Sequence, residues 1–130
     1  MKKIILIIII LLELILIKVP EYVELNNLAI IDSVAVIEEK NHYTIIMKEI
    51  IPIKTDQGIK YEYKYYKKTA ATIKKAHNYL IKTSKKKLYL NKTKSLITNM
   101  TSSKEIIKTL NITPSTITHT TKDIEKLIKN

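Results

Sequence analysis

The sequence predicts an α+β fold: an N-terminal transmembrane helix, then one small mixed β-sheet domain with about three helices packed on it. Three observations predict it. Ile4 to Val19 form an apolar run behind Lys2-Lys3. Three β-rich stretches follow one another between Leu28 and Tyr65. After Tyr65, short helical and strand-like segments alternate. The division is therefore a signal anchor at 1–19 and an α/β body at 20–130. A length of 130 residues suits one small domain plus an appendage.

The basic pair and the apolar run fit either a signal peptide or a membrane anchor. Leu16-Ile17-Lys18-Val19-Pro20 offers a peptidase no small residues, which favours an uncleaved anchor over a cleaved signal. A spanning helix needs about 20 apolar residues. The run supplies sixteen, interrupted by Glu13, and Lys2, Lys3 and Lys18 can snorkel outward. A buried soluble helix is the third reading, disfavoured because an Ile-rich run without a polar stripe offers water no face. Lys2 and Lys3 place the N-terminus inside the cytoplasmic membrane and the body outside, so the lipid bilayer is the first expected partner. Glu13 is a carboxylate within hydrocarbon on this reading. It is either a contact to a polar or basic group of a partner membrane helix or a tolerated residue near the outer interface.

The body reads as short elements. Leu28 to Glu38 is a strand, Glu39-Lys40-Asn41 a turn, and His42 to Ile51 a second strand with Tyr43, Ile45, Met47 and Ile51 on one face. Pro52 ends or edges it. Thr55 to Gly58 turns into Ile59–Tyr65, the clearest period-2 run: Ile59, Tyr61, Tyr63 and Tyr65 alternate with Lys60, Glu62 and Lys64. A helix follows over about Ala70 to Thr83 with Thr69 as cap, its apolar face Ile73, Ala76, His77, Leu80 and Ile81. Lys85-Lys86-Lys87 leads into Leu88-Tyr89-Leu90, and Thr93 to Thr98 is a strand. Ser102 and Glu105 form a capping box for a helix ending at Leu110. Ser115 to Thr120 and Thr121 to Lys129 give the last strand and helix.

Composition excludes several chemistries. The chain holds no cysteine, one glycine and three histidines. Disulfides, thiolate sites and cysteine catalysis are out, and so are Gly-rich phosphate loops. His42, His77 and His119 lack metal-ligand spacing. No nucleophile–base pair is recognisable, so no enzyme and no cofactor are expected. Lysine is the only strongly basic residue, and the whole-chain balance is 23 against 12. Without the three lysines and Glu13 of residues 1–19, the body keeps 20 against 11, a net of +9. Such a surface attracts anionic lipid or wall polymer. Lys85, Lys86 and Lys87 are the candidate contact, against the plainer reading of a solvated loop. The Lys60–Lys68 run interleaves tyrosine and lysine, as base-stacking surfaces do. Its strict alternation instead favours a half-buried strand whose tyrosines cover the core edge, and no nucleic-acid partner is expected.

Several segments, in order, carry a family resemblance. Glu24-Leu25-Asn26-Asn27-Leu28-Ala29-Ile30-Ile31 follows the apolar segment. His42 to Pro52 is a strand ending at proline. Thr72-Ile73-Lys74-Lys75-Ala76 opens a helix, and Lys86-Lys87-Leu88-Tyr89-Leu90 precedes the apolar Ser95-Leu96-Ile97. Ile112 to Thr116 and Lys122-Asp123-Ile124 complete the series. Over residues 21–128 this resembles the N-terminal domain of the Ger(x)C-type C subunit of bacterial spore-germination nutrient receptors. The family is typically a lipoprotein. Here Lys18 to Tyr22 holds no cysteine, so retention would depend on Ile4 to Val19. Asp32-Ser33-Val34-Ala35-Val36 stands where the family usually has Gly-x-Gly-Ile-Asp, Asn91-Lys92 replaces its Gly-His, and the resemblance covers the first domain only.

The resemblance implies a non-enzymatic component at the spore inner membrane. It would act by protein–protein contacts with membrane-embedded germinant-receptor subunits during nutrient-triggered germination. The alternative is a small bitopic protein whose basic body binds anionic lipid or wall polymer. Glu13, Lys85, Lys86 and Lys87 are the expected partner contacts, with no metal, cofactor or catalytic residue.

Overall fold

The computed structural model describes residues 1–16 and 27–130. Its elements run α1 (Lys2–Leu16), β1 (Leu28–Glu39), β2 (His42–Thr55), β3 (Gly58–Ala70), α2 (Ile73–Thr83) and β4 (Lys87–Tyr89). They continue with β5 (Ser95–Thr98), α3 (Lys104–Leu110), β6 (Thr116–His119) and α4 (Ile124–Lys129). The architecture is α+β, with one mixed sheet and four helices among the described residues.

The expected transmembrane helix is corrected. α1 has 15 residues, which at 1.5 Å per residue span about 22 Å, short of the about 30 Å of a hydrocarbon core. No helix among the described residues is long and apolar enough to cross a membrane. The single-pass localisation with the body outside rested on that span and falls with it. Lys18, the Leu16–Pro20 junction beyond Leu16, the boundary at 19 and 20, and Glu24 to Asn26 lie outside the described residues.

The sheet runs β3-β2-β1-β5-β6, with β4 also on β1. β1, β2 and β3 are antiparallel neighbours, while β4 and β5 lie parallel to β1 and β6 parallel to β5. A two-residue turn joins β1 to β2, with Asn41 at φ 58. Asparagine tolerates this left-handed conformation because its short side chain bonds locally. Gly58, at φ 119, closes the second turn, where Thr55 Oγ1 donates to the Gly58 carbonyl at 2.9 Å.

β1 carries the one irregularity in its pairing with β2. Ile31 faces Glu49 and Ser33 faces Lys48, so Asp32 is an extra residue. Such a bulge flips the side-chain alternation. Ala29 and Ile31 point to the same core as Val34 and Val36 for this reason. Thr93 Oγ1 donates to the Ile31 carbonyl at 3.1 Å, and the Lys94 amide donates to the Asp32 carbonyl at 2.8 Å. The chain between β4 and β5 thus supplies what a regular ladder would.

Helices cover both faces. Ile73, Ala76 and Leu80 of α2 and Ile106 and Leu110 of α3 pack on Val34, Val36, Ile45, Met47 and Leu96. On the other face, Ile124 and Ile128 of α4 pack on Ala35 and Ile46, with Ile37, Tyr65 and Ile97 alongside. The caps differ from expectation in two places. β3 runs on to Ala70, so α2 starts later and Thr72, not Thr69, caps it by accepting from the Lys75 amide at 3.1 Å. The Ser102–Glu105 capping box does not form: Ser103 is the cap residue, in αR conformation without a side-chain bond, and Ser102 Oγ accepts from the Lys104 amide at 3.4 Å. Asp123 caps α4 by accepting from the Lys126 amide at 3.3 Å. Lys67 and Lys129 bond Glu125 at 3.1 and 3.4 Å and hold its carboxyl below the usual range.

Candidate functional site

β1 and β2 pair from Ile31 and Glu49 up to their connecting turn. Before Ile31, β1 pairs only with β4, and beyond Glu49, β2 pairs only with β3. The two strands therefore part, and a cleft of about 310 Å³ opens between Leu28 and Ile30 on one side and Ile50, Ile51 and Pro52 on the other. The rest of β2 leaves the body with β3 as a two-stranded ribbon, from Ile50 opposite Tyr63 to Thr55 opposite Gly58. Pro52 does not stop β2. It sits where the strand has lost its β1 neighbour, so its missing N–H faces no ladder on that side.

Glu49 and Lys86 close the cleft. The Glu49 side chain is 2% exposed, and its Oε1 lies 3.1 Å from Lys86 Nζ. Tyr66 donates its hydroxyl to Glu49 Oε2 at 2.7 Å. A buried carboxylate is costly unless charge and hydrogen bonds answer it, and both oxygens here are engaged. Burial, with the bond to Glu49 second, pushes the Tyr66 phenol up to about 12. Ser84 Oγ donates to the Lys86 carbonyl at 2.6 Å, fixing the loop that delivers the lysine. The group is a closed acid–base pair that anchors the start of β4 to the sheet.

Beside the cleft lies a bare face. Side chains alternate across a sheet, so Ile50, Pro52 and Lys54 of β2 share a face with their partners Tyr63, Tyr61 and Ile59 of β3. This is the α4 face, but the six-residue α4 covers only the Ala35–Ile46 region. Ile59 is 66% exposed, Tyr61 51% and Tyr63 48%. Lys48 Nζ stands 4.3 Å from the centroid of the Tyr63 ring, a cation–π contact that leaves the ring's other side open. The expectation of tyrosines covering the core edge holds for Tyr65 and Tyr66, which pack against the two cores. It fails for Ile59, Tyr61 and Tyr63.

The four expected contacts separate. Glu13 is exposed on α1, and among the described residues no hydrogen bond or ion pair joins it to Lys85–Lys87. Lys85 and Lys87 are exposed. Lys86 is turned inward to Glu49, so the triple lysine is two surface charges around one structural one. Among the described residues, no three His, Asp or Glu side chains gather as metal ligands. His77 lies on α2, where burial lowers its pKa, and His119 Nδ1 sits 2.9 Å from the Met100 carbonyl.

The residues of the resemblance serve the fold. Thr72 caps α2, and Ile73 and Ala76 are buried. Ile112 and Ile124 are buried, and Asp123 is a cap. Compared with known proteins, the chain matches no family model, no curated protein and no solved structure.

Proposed function

We propose that this chain is a non-enzymatic interaction domain of the kind found at the start of spore germinant-receptor C subunits. It acts by protein–protein contact with membrane-embedded receptor subunits in nutrient-triggered germination. The observation that carries the contact reading is the bare apolar face of the β2–β3 ribbon. Ile59, Tyr61 and Tyr63 are exposed on a ribbon in which β2 and β3 pair without a break. Exposed aromatic groups on a rigid scaffold are the residues that dominate protein interfaces. The adjoining cleft, walled by Leu28, Ile30 and Ile50–Pro52, extends the same apolar surface.

A second reading follows from Lys85 and Lys87, which remain exposed beside the neutralised Lys86. They support an electrostatic contact with anionic lipid or wall polymer. Affinity purification of the chain tagged at Asn130, from detergent-treated membranes of sporulating cells, separates the two. Receptor subunits retained at high salt are the expected result. Recovery of polyanions alone, lost as salt rises, favours the second reading and rejects the first.

A further inference from the structure

The edge of β3 carries an inference beyond the bare face. β3 is the last strand on its side of the sheet. It pairs with β2 without a break from Gly58 to Ala70, so its other edge presents a long row of backbone donors and acceptors. Proteins guard such edges with proline, bulges or charged side chains, lysine especially, and charge of both signs at matched spacing loses that effect against a second copy. β3 has no proline and no bulge; over Gly58–Lys64 its charges alternate in sign, Lys60, Glu62, Lys64, and Lys67 and Lys68 lie beyond that stretch.

That alternation makes the edge self-complementary in charge about Tyr61 and about Tyr63, and the apolar residues decide between the two. Two antiparallel copies related by a two-fold axis through Tyr61 set each Lys60 opposite Glu62 of the second copy. On the other face the same register sets Ile59 opposite Tyr63 of the second copy, twice, and Tyr61 opposite its own copy. These three are the large apolar side chains that β3 leaves most exposed. Shifting the axis to Glu62 faces glutamate with glutamate once and Lys60 with Lys64 twice, three like-charge clashes. Shifting it to Tyr63 pairs Ile59 with Lys67, which Glu125 already holds, and Tyr61 with Tyr65, which already packs beside α4. We infer that the chain forms a symmetric dimer through antiparallel β3–β3 pairing centred on Tyr61. The pairing joins two six-stranded sheets into one and leaves the bare faces side by side. It does not depend on the receptor reading.

The chain has no cysteine, so single cysteines report the register directly. Full-length Tyr61→Cys, oxidised in mild detergent, is expected to become a covalent dimer, because directly opposed Cα atoms lie about 4.5–5.5 Å apart. Ile59→Cys and Tyr63→Cys alone should stay largely monomeric, while the Ile59→Cys/Tyr63→Cys double variant should cross-link. Sedimentation of the unmodified chain is expected to show a monomer–dimer equilibrium. Glu62→Lys should weaken it about tenfold by opposing lysine to lysine, and Lys60→Glu/Glu62→Lys should restore it. A chain that is monomeric throughout overturns the inference. So does equal cross-linking at 59, 61 and 63, or self-association indifferent to Glu62→Lys, which would place the contact elsewhere, on α1 for example.

Discussion

The β2–β3 pair passes through two environments. Near the β1–β2 turn it is joined to β1, with α2 over one face and α4 over the other. Beyond Glu49 it runs on as a ribbon with no helix on the α4 face and no β1 beside it. The covered half of β2 is apolar on both faces from Ile45 to Met47, while tyrosine and lysine occur in both halves of β3. What changes along β3 is what lies on top. Ile46 and Tyr65 meet α4, whereas Tyr61 and Tyr63 on the same face meet water. Periodicity therefore says which way a side chain points. Covering elements decide whether it becomes core or contact surface.

Truncating each half should separate them sharply. Ile45→Ala, in the covered half, is expected to cost about 2–5 kcal/mol in denaturant unfolding, because it removes buried contacts and leaves a cavity. At the boundary, Lys86→Met strands the Glu49 carboxylate and should cost about 1–3 kcal/mol, the lower part of that range applying where water reaches the vacated site. A variant there that unfolds like wild type would mean the pair is not what anchors β4.

Tyr66 gives the boundary a pH signature. Its phenol titrates above the ordinary value of 10.0, at about 12, so the folded state favours the protonated form. Its contribution is full below pH 10 and is lost as pH rises from 10 toward 12. Tyr66→Phe should remove that alkaline slope from a stability–pH series while leaving neutral behaviour two-state. The α4 cap is a smaller matter: Asp123→Ala should cost about 1 kcal/mol. Smallest is the bare face, where Tyr61→Ser with Tyr63→Ser should change stability by only about 0.5 kcal/mol each.

Much of this fold was legible because local rules and tertiary packing agree. The three leading strands and the helix ending at Thr83 follow from periodicity, and the mixed sheet from the order of elements; the helix ending at Leu110 is present although its expected capping box is not. The reading of Tyr43, Ile45, Met47 and Ile51 as one inward face even contained the clue to the buried acid. Glu49 sits at the inward position between Met47 and Ile51. Its partner was not legible, since Lys86 lies 37 residues away and looks like the middle of a solvated run. The Asp32 bulge was also hidden, because only the register against β2 reveals it. The shortness of α4 against the length of β3 shows only in the sheet, and alternation alone points all the tyrosines at the core edge. The transmembrane reading counts sixteen apolar-run residues with snorkelling lysines as enough, whereas α1 has 15 residues and no helix among the described residues is long and apolar enough to cross a membrane.

The most direct test of the contact reading is a paired purification at high salt from sporulating-cell membranes. One bait is the wild-type chain tagged at Asn130, and the other carries Ile59→Ser, Tyr61→Ser and Tyr63→Ser. Matched unfolding curves first establish that both baits fold. Receptor subunits with the wild type, and at least tenfold less with the variant, are the predicted result. Equal recovery from both baits would contradict the account, because the bare ribbon face would then play no part in binding.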